Sequence, residues 1–61
     1  MKIKTRKTVL IEVKGNYLEK VELIKRLEEI PQNADHCKSY IKETNTTQLI
    51  FSWYEEKEYN E

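Results

Sequence analysis

The stretch GNYLEKVELIKRLEEIP, residues 15–31, has the features of one complete amphipathic helix. Asn16 is a favoured N-cap residue, because its side-chain oxygen accepts a hydrogen bond from a backbone N–H of the first turn. Gly15 permits a sharp change of direction before the helix. Pro31 disfavours helical geometry at the residue before it. The pattern therefore predicts a helix over about residues 16–30, and the flanking segments must form whatever it packs on.

The apolar side chains of this stretch recur at helical spacing and form a wide stripe. The stripe is broader than a contact with one sheet requires, so its margin is either the border of the core or a contact with a second protein. Its members are Leu18, Val21, Ile24 and Leu27, widened by Tyr17, Leu23 and Ile30.

The segments on either side alternate between apolar and polar residues, which is typical of half-buried strands. Lys7 interrupts the apolar side of the first segment, so the first half of that strand is expected to overhang the sheet or to pair with something else. Asn45 lies in the last turn and is well suited to a positive φ. The predicted elements are a strand over about 2–14, the helix over about 16–30, strands over about 36–43 and 47–55, and an acidic tail over 55–61 that frays.

The charges of the first and last segments predict how the strands are ordered. Residues 1–14 carry five positive charges and one negative, whereas residues 47–61 carry four negative and one positive. An antiparallel pair of these two strands would place opposite charges face to face, with Lys2, Lys4 and Arg6 facing Glu55, Glu56 and Glu58. We therefore predict a single α+β domain over residues 1–61, of β-α-β-β form. One helix packs on a three-stranded antiparallel sheet of order 2-3-1, which is preferred to a parallel pair of the first two strands.

One helix covers one face of such a sheet, yet apolar residues occur on both faces. An apolar cluster on the uncovered face needs a second layer, which a dimer or another protein would supply. The helix is expected to cover Val9, Ile11, Val13, Ile41, Leu49, Phe51 and Trp53. The candidate interaction residues on the open face are Leu10, Tyr40, Ile50 and Tyr54, accompanied by Lys4, Arg6, Lys38 and Lys42.

The length and composition of the chain favour self-association. A chain near 60 residues buries only about 60% of its unfolded surface, so its stability is marginal without help. With one cysteine and one histidine, the chain has no intrachain disulfide and no cluster of soft metal ligands. By elimination, a homodimer is the expected aid to folding, and no cofactor or metal is expected.

Asp35-His36-Cys37 contains the residue types of a cysteine nucleophile. Consecutive residues of a strand point to opposite faces, so His36 is poorly placed to take a proton from Cys37. We therefore expect Cys37 to be a packed core thiol, and no enzymatic activity is predicted.

Two charged features allow a different function. The basic residues of the open face, with Tyr40 and Tyr54 between them, could follow a nucleic-acid backbone and stack bases. The zero net charge of the chain and the acidic tail speak against this function and favour an ordinary solvated sheet face. The tail itself is interpreted as a solubilising end, with mimicry of nucleic-acid phosphates as the alternative.

The chain begins with a charged, alternating segment, and its longest apolar runs have three residues, such as Val9-Leu10-Ile11. These features predict a cytoplasmic protein with no membrane span.

The layout resembles small accessory proteins of phages and prophages. The resemblance is carried by a charged first strand, by the helix end LEEIPQNA at residues 27–34, and by the last strand LIFSW at residues 49–53. It implies an interaction protein, with binding and inhibition of a host enzyme or defence factor as the expected role, and it assigns no functional residue. The prediction is thus a small non-enzymatic protein-binding module, with nucleic-acid binding as the alternative.

Overall fold

The computed structural model describes residues 1–60 and has the predicted α+β architecture. The chain forms a strand, a short helical segment and a β-hairpin, and the three strands make one antiparallel sheet. The elements are β1 (Lys2–Lys14), a turn of 3-10 helix (Leu18–Lys20), α1 (Val21–Leu27), β2 (Asp35–Ile41) and β3 (Thr46–Glu58).

The sheet has the order β1-β3-β2, which confirms the order predicted from charge. β3 is central and pairs antiparallel with both neighbours. Lys2 lies opposite Glu58 and Lys4 lies opposite Glu56, so opposite charges face each other across two pairs. Arg6 instead lies opposite Tyr54, and Glu55 lies opposite Thr5 on the other face of the sheet. The predicted pairing of charges is therefore only partly formed.

The chain leaves β1 through a tight connection that depends on Gly15 and Thr47. Gly15 has a φ of +108°, and a Cβ added there would lie 2.8 Å from Cε2 of Tyr17. Thr47 is fully buried in β3; its hydroxyl accepts the Tyr17 N–H at 2.9 Å and donates to the Gly15 carbonyl at 2.5 Å. These contacts fix the chain just before the helical segment.

The helix is shorter than predicted. The Tyr17 N–H bonds to Thr47 and not within a helix, and the residues that follow form a 3-10 turn before α1 begins. At the other end, Glu29 has a φ of +56°, and the Ile30 N–H donates to the Lys25 carbonyl at 2.9 Å. The Glu29 N–H donates to the Arg26 carbonyl at 3.2 Å, which completes a Schellman motif. The prediction of a continuous helix over residues 16–30 was therefore wrong. A tertiary contact replaces the first turn of that helix, and a left-handed cap ends it at Leu27.

The hydrophobic core is small and lies between the helical segment and the body of the sheet. Val21, Leu49 and Phe51 are buried. The phase of α1 differs from the prediction at one position, since Leu27 is 72% exposed while Lys25 is buried. The Lys25 ammonium donates to the Gln32 carbonyl at 3.0 Å, so the buried side chain keeps a polar partner for its charged end. Partly buried residues around the core are Ile11, Ile24, Ile30 and Trp53.

The β2–β3 hairpin turns through residues 42–45, and Asn45 has a φ of +52°, as predicted. Ile41 pairs with Thr46, so Tyr40 lies opposite Thr47 and Lys38 lies opposite Leu49. Directly opposed residues share a face, so these two β2 side chains are on the helix side. The predicted faces of β2 were therefore inverted. Ile41, which was expected under the helix, is on the opposite face with Thr46.

β1 and β3 extend beyond β2 as a two-stranded arm, defined as residues 2–7 paired with residues 53–58. β2 pairs with β3 only as far as Ser52. The first half of β1 extends beyond β2 but does not overhang the sheet, because it pairs with β3 along its whole length, and the frayed tail was not observed over the described residues. Strand pairing continues to Glu58, and the Tyr59 N–H donates to the Met1 carbonyl at 2.9 Å.

The arm gives the molecule an elongated shape and a large surface. Its extents are 52 × 19 × 13 Å and its radius of gyration is 14.6 Å, where a compact chain of this length would have about 10.5 Å. The accessible surface is 5131 Å², where a folded monomer of this mass exposes about 4200 Å². The chain thus exposes roughly 900 Å² more than a compact monomer of its size.

Candidate functional site: the open face of the sheet

The open face is the side of the sheet opposite α1, and the strand register determines its members. Residues directly opposite each other in an antiparallel sheet point to the same side, so each row crosses the sheet at a known position. The central rows are Leu10–Ile50–Cys37 and Thr8–Ser52–Asp35, flanked by Arg6–Tyr54 on the arm side and Glu12–Gln48–Ser39 on the other.

The centre of the open face is apolar and exposed. Leu10 lies opposite Ile50, and the two side chains are 57% and 43% exposed. Cys37 lies on the other side of Ile50 and is exposed as well. Exposed aliphatic side chains that adjoin across three strands form one surface, which is a feature of association sites more than of solvated sheets.

An aromatic and basic group borders this apolar centre on the arm side. Tyr54 is 56% exposed, and the Lys4 ammonium lies 4.7 Å from the centre of its ring. A cation over an exposed ring contributes about 0.5–1 kcal/mol. Arg6 lies opposite Tyr54, and a shallow concavity of about 270 Å³ opens beside them where β2 begins. Its lining residues are Arg6, Asp35, Ser52, Trp53 and Tyr54.

The structure brings together five of the eight predicted interaction residues and separates the other three. Leu10, Ile50, Tyr54, Lys4 and Arg6 all lie on the open face. The residues placed elsewhere are Tyr40 and Lys38, on the helix side, and Lys42, in the turn after β2.

The displaced residues have structural partners on the helix side. The Lys38 ammonium donates to the Leu18 carbonyl at 3.1 Å, which ties β2 to the 3-10 turn. The Tyr40 hydroxyl donates to Oδ1 of Asn45 at 2.6 Å, across the hairpin. The open face therefore lacks a basic, tyrosine-lined track that runs across both edge strands. Such a track was the basis of the nucleic-acid alternative.

The environment of Cys37 differs from the expectation, but Cys37 and His36 point to opposite faces as predicted. Cys37 is exposed on the open face, so it is not a packed core thiol. The cause is the inverted face of β2, which turns Cys37 away from the core. The His36 ring lies on the helix side, with its centre 6.2 Å from that of Phe51. The two side chains therefore point to opposite faces of the sheet.

A row of small polar residues on the arm side of the apolar centre has no signal in the sequence pattern. Thr8, Ser52 and Asp35 form one row across the three strands, next to the Leu10–Ile50 pair. Only the strand register reveals this row, because the three residues lie far apart in the sequence. Because the side chains of this row are small, a second molecule is able to approach Leu10 and Ile50 closely.

A second exposed apolar surface lies on the outside of α1. Leu23 and Leu27 are one helical turn apart and are 45% and 72% exposed. The sequence analysis placed Leu23 at the margin of the core and allowed a contact with a second protein there.

Two further observations concern other kinds of site. Within residues 1–60, no group of three or more His, Cys, Asp or Glu side chains is arranged to hold a metal ion. None of the helical segments in the described part of the chain has the length and apolar character needed to cross a membrane.

Comparisons with protein-family models, with curated proteins and with solved structures found no significant match to this chain.

Proposed function

We propose that this chain is a small, non-enzymatic protein-binding module that works as a homodimer joined through its open face. The observation that carries the proposal is the exposed Leu10–Ile50 pair at the centre of that face. Full burial of an exposed aliphatic side chain contributes about 1.5–3 kcal/mol, and roughly half of that remains for each of Leu10 and Ile50, which are 57% and 43% exposed. A second copy contributes the same pair, so the contact is repeated by symmetry.

The surface of the chain supports a dimer of ordinary size. Each partner in a standard interface contributes about 800 Å², and the chain exposes 5131 Å² in all. A chain of 61 residues with so small a core gains stability from a second layer over its sheet.

The residue types around the centre also fit protein recognition. Tyrosine and arginine are enriched among the residues that dominate binding energy, and Tyr54 and Arg6 lie opposite each other beside the aliphatic pair. Ser52 and Thr8 form the row between the aliphatic pair and the Tyr54–Arg6 pair. Their hydroxyl groups can form hydrogen bonds with polar groups of a binding partner.

Sedimentation of a matched pair of variants tests the proposal. Leu10→Glu places a charge at the centre of the open face, whereas Leu27→Glu places the same charge on the exposed surface of α1. We expect the wild-type chain and Leu27→Glu to sediment as dimers at micromolar concentration and Leu10→Glu to sediment as a folded monomer of 7.4 kDa. A wild-type monomer at high micromolar concentration, or a dimer of Leu10→Glu, contradicts the proposal.

The resemblance to small phage and prophage accessory proteins supports a biological setting for the module. In this setting it is a phage-encoded cytoplasmic protein that binds a host enzyme or defence factor and inhibits it. The test is to purify the module from a bacterial host and to measure the activity of any enzyme that accompanies it. If the module is an inhibitor, adding it lowers the activity of that enzyme. An enzyme that keeps full activity in the presence of the module contradicts inhibition.

A further inference from the structure

We infer that the outer edge of β1 in the arm is a docking site for an extended, acidic segment of another protein, which adds a fourth strand to the sheet. The inference rests on the proposed function and specifies the chemistry of the partner that the module binds. It concerns the outer edge of β1 in the arm, whereas the dimer contact is centred on Leu10 and Ile50, so the two can be tested separately.

The edge offers unpaired backbone groups over an unusual length. β1 is an end strand in the order β1-β3-β2 and has 13 residues. On its outer side, alternate N–H and C=O groups have no partner within the sheet. An extended segment that lies along such an edge gains main-chain hydrogen bonds, and its alternate side chains supply specificity.

An added strand would stabilise the arm more than the body of the sheet. Residues 2–7 and 53–58 form only a two-stranded ribbon, because β2 ends opposite Ser52. A two-stranded ribbon without further support is marginally stable in water, and three strands are the usual minimum. A strand added beside residues 2–7 would give the arm the three-stranded width that the body of the sheet already has.

The charge of the arm selects an acidic segment. The arm carries five basic side chains (Lys2, Lys4, Arg6, Lys7 and Lys57) and three acidic ones (Glu55, Glu56 and Glu58), a net charge of +2. Lys2, Lys4 and Arg6 lie in one column on the open-face side of β1, where a neighbouring strand would present its own side chains. Carboxylates directly opposite them are favourable, and β3 already shows this pairing at Glu56 and Glu58.

The same charges disfavour a second copy at this edge. In an antiparallel β1–β1 pair centred on Thr5, Lys4 of one copy would lie opposite Arg6 of the other. Like charges directly opposite each other are destabilising. Face-to-face dimerisation leaves the edge accessible, because packed sheets cross at about 30° and the arms diverge from the contact.

The face of the arm opposite the basic column determines which other side chains the bound segment should carry. Ile3 and Thr5 alternate with the basic column, and Ile3 is 41% exposed. An apolar or β-branched side chain at alternate positions of the bound segment would cover this side. The expected partner segment therefore alternates acidic residues with apolar or β-branched ones.

A synthetic peptide in which glutamate alternates with valine and threonine is the appropriate probe. Its binding to the full-length chain is followed by the fluorescence of Trp53, which lies opposite Lys7 at the base of the arm. A control peptide of the same charge carries proline in place of the valines, which removes backbone donors. We expect the first peptide to bind, and the proline peptide to bind at least about tenfold more weakly.

Several outcomes would overturn the inference. Equal binding of the two peptides would mean that charge alone acts, without strand addition. A single-stranded oligonucleotide that binds as tightly as the peptide would identify the edge as a general anion surface. Absence of peptide binding at low salt would remove the site.

A pair of variants locates the site on the arm. Lys4→Glu reverses one charge in the basic column, and Lys20→Glu makes the same change at the end of the 3-10 turn. We expect only Lys4→Glu to weaken peptide binding, with circular dichroism showing that both variants fold. Equal weakening by both variants would contradict the location. Sedimentation of the wild-type chain separates the two proposals, since a wild-type dimer that binds no peptide rejects this inference alone.

Discussion

Thr47 connects the start of the helical segment to the sheet with a single hydroxyl group. It is fully buried, accepts the Tyr17 N–H and donates to the Gly15 carbonyl. Thr47→Val preserves the shape of the side chain but leaves both backbone groups without that partner. We expect a loss of about 1–3 kcal/mol in the free energy of unfolding.

Urea unfolding at a fixed protein concentration measures this loss, with Thr46→Val as the matched control. The Thr46 hydroxyl donates to the Thr44 carbonyl in an exposed turn, so its removal should change stability by less than about 0.5 kcal/mol. Equal effects of the two substitutions would show that the buried hydroxyl has no special role.

Glu29 has a backbone conformation that suits glycine better. Its φ of +56° lies in the left-handed region, which is unfavourable for residues with a Cβ. A carboxylate near a helix C-terminus is also repelled by the partial negative charge there. We expect Glu29→Gly to raise the free energy of unfolding by about 0.5–1 kcal/mol.

The neighbouring Glu28 provides the control for this substitution. Its φ is −92°, so glycine brings no relief of strain there and adds freedom to the unfolded chain. Glu28→Gly should therefore lower the midpoint of urea unfolding where Glu29→Gly raises it. A fall in both midpoints would show that the left-handed cap is not a source of strain.

At the scale of elements, local chemistry and net charge were enough to predict part of the fold. Asn45 has the positive φ expected of an asparagine in a turn, because this preference belongs to the residue itself. The order of the strands followed from the opposite charges of β1 and β3, which do not depend on a detailed register.

The helix and β2 were predicted less well, for reasons that involve distant contacts. The first turn of the helix was replaced by a bond from Tyr17 to Thr47, which is 30 residues away and has no local signature. In β2, one side carries His36, Lys38 and Tyr40 and the other Cys37, Ser39 and Ile41, so neither side is clearly apolar. Alternation alone could not decide which side faced the helix, and a one-residue difference inverts every side chain.

The arm is the element whose dynamics should differ from the rest of the sheet. Residues 2–7 are exposed and pair with a part of β3 that has no other neighbour, whereas β1 is partly buried at alternate positions from Val9 onward. We expect the amides that bond within the arm to exchange with deuterium at least about tenfold faster than those that bond within residues 9–13. Nuclear magnetic resonance of the free protein measures both sets of rates, and equal protection would contradict the arm as an independent unit.

At the scale of the whole molecule, the sequence predicted a partner and eight candidate residues for the surface that would bind it. The apolar residues on both faces of the sheet, and the size of the chain, pointed to self-association. Five of the eight candidate residues do lie together on the open face, because the phases of β1 and β3 follow clear alternation. The other three were misplaced with β2 or with its turn, and the neighbouring row of Thr8, Ser52 and Asp35 appeared only with the register.

The most direct test of the account is a dilution series of methyl spectra, recorded from millimolar to low micromolar concentration. If the open face joins two copies, the methyl signals of Leu10 and Ile50 will shift on dilution. Those of Leu23 and Leu27, on the outside of α1, will stay unchanged. Shifts confined to Leu23 and Leu27, or no shift of any methyl signal in a chain that sediments as a monomer, would show that the open face does not join two copies.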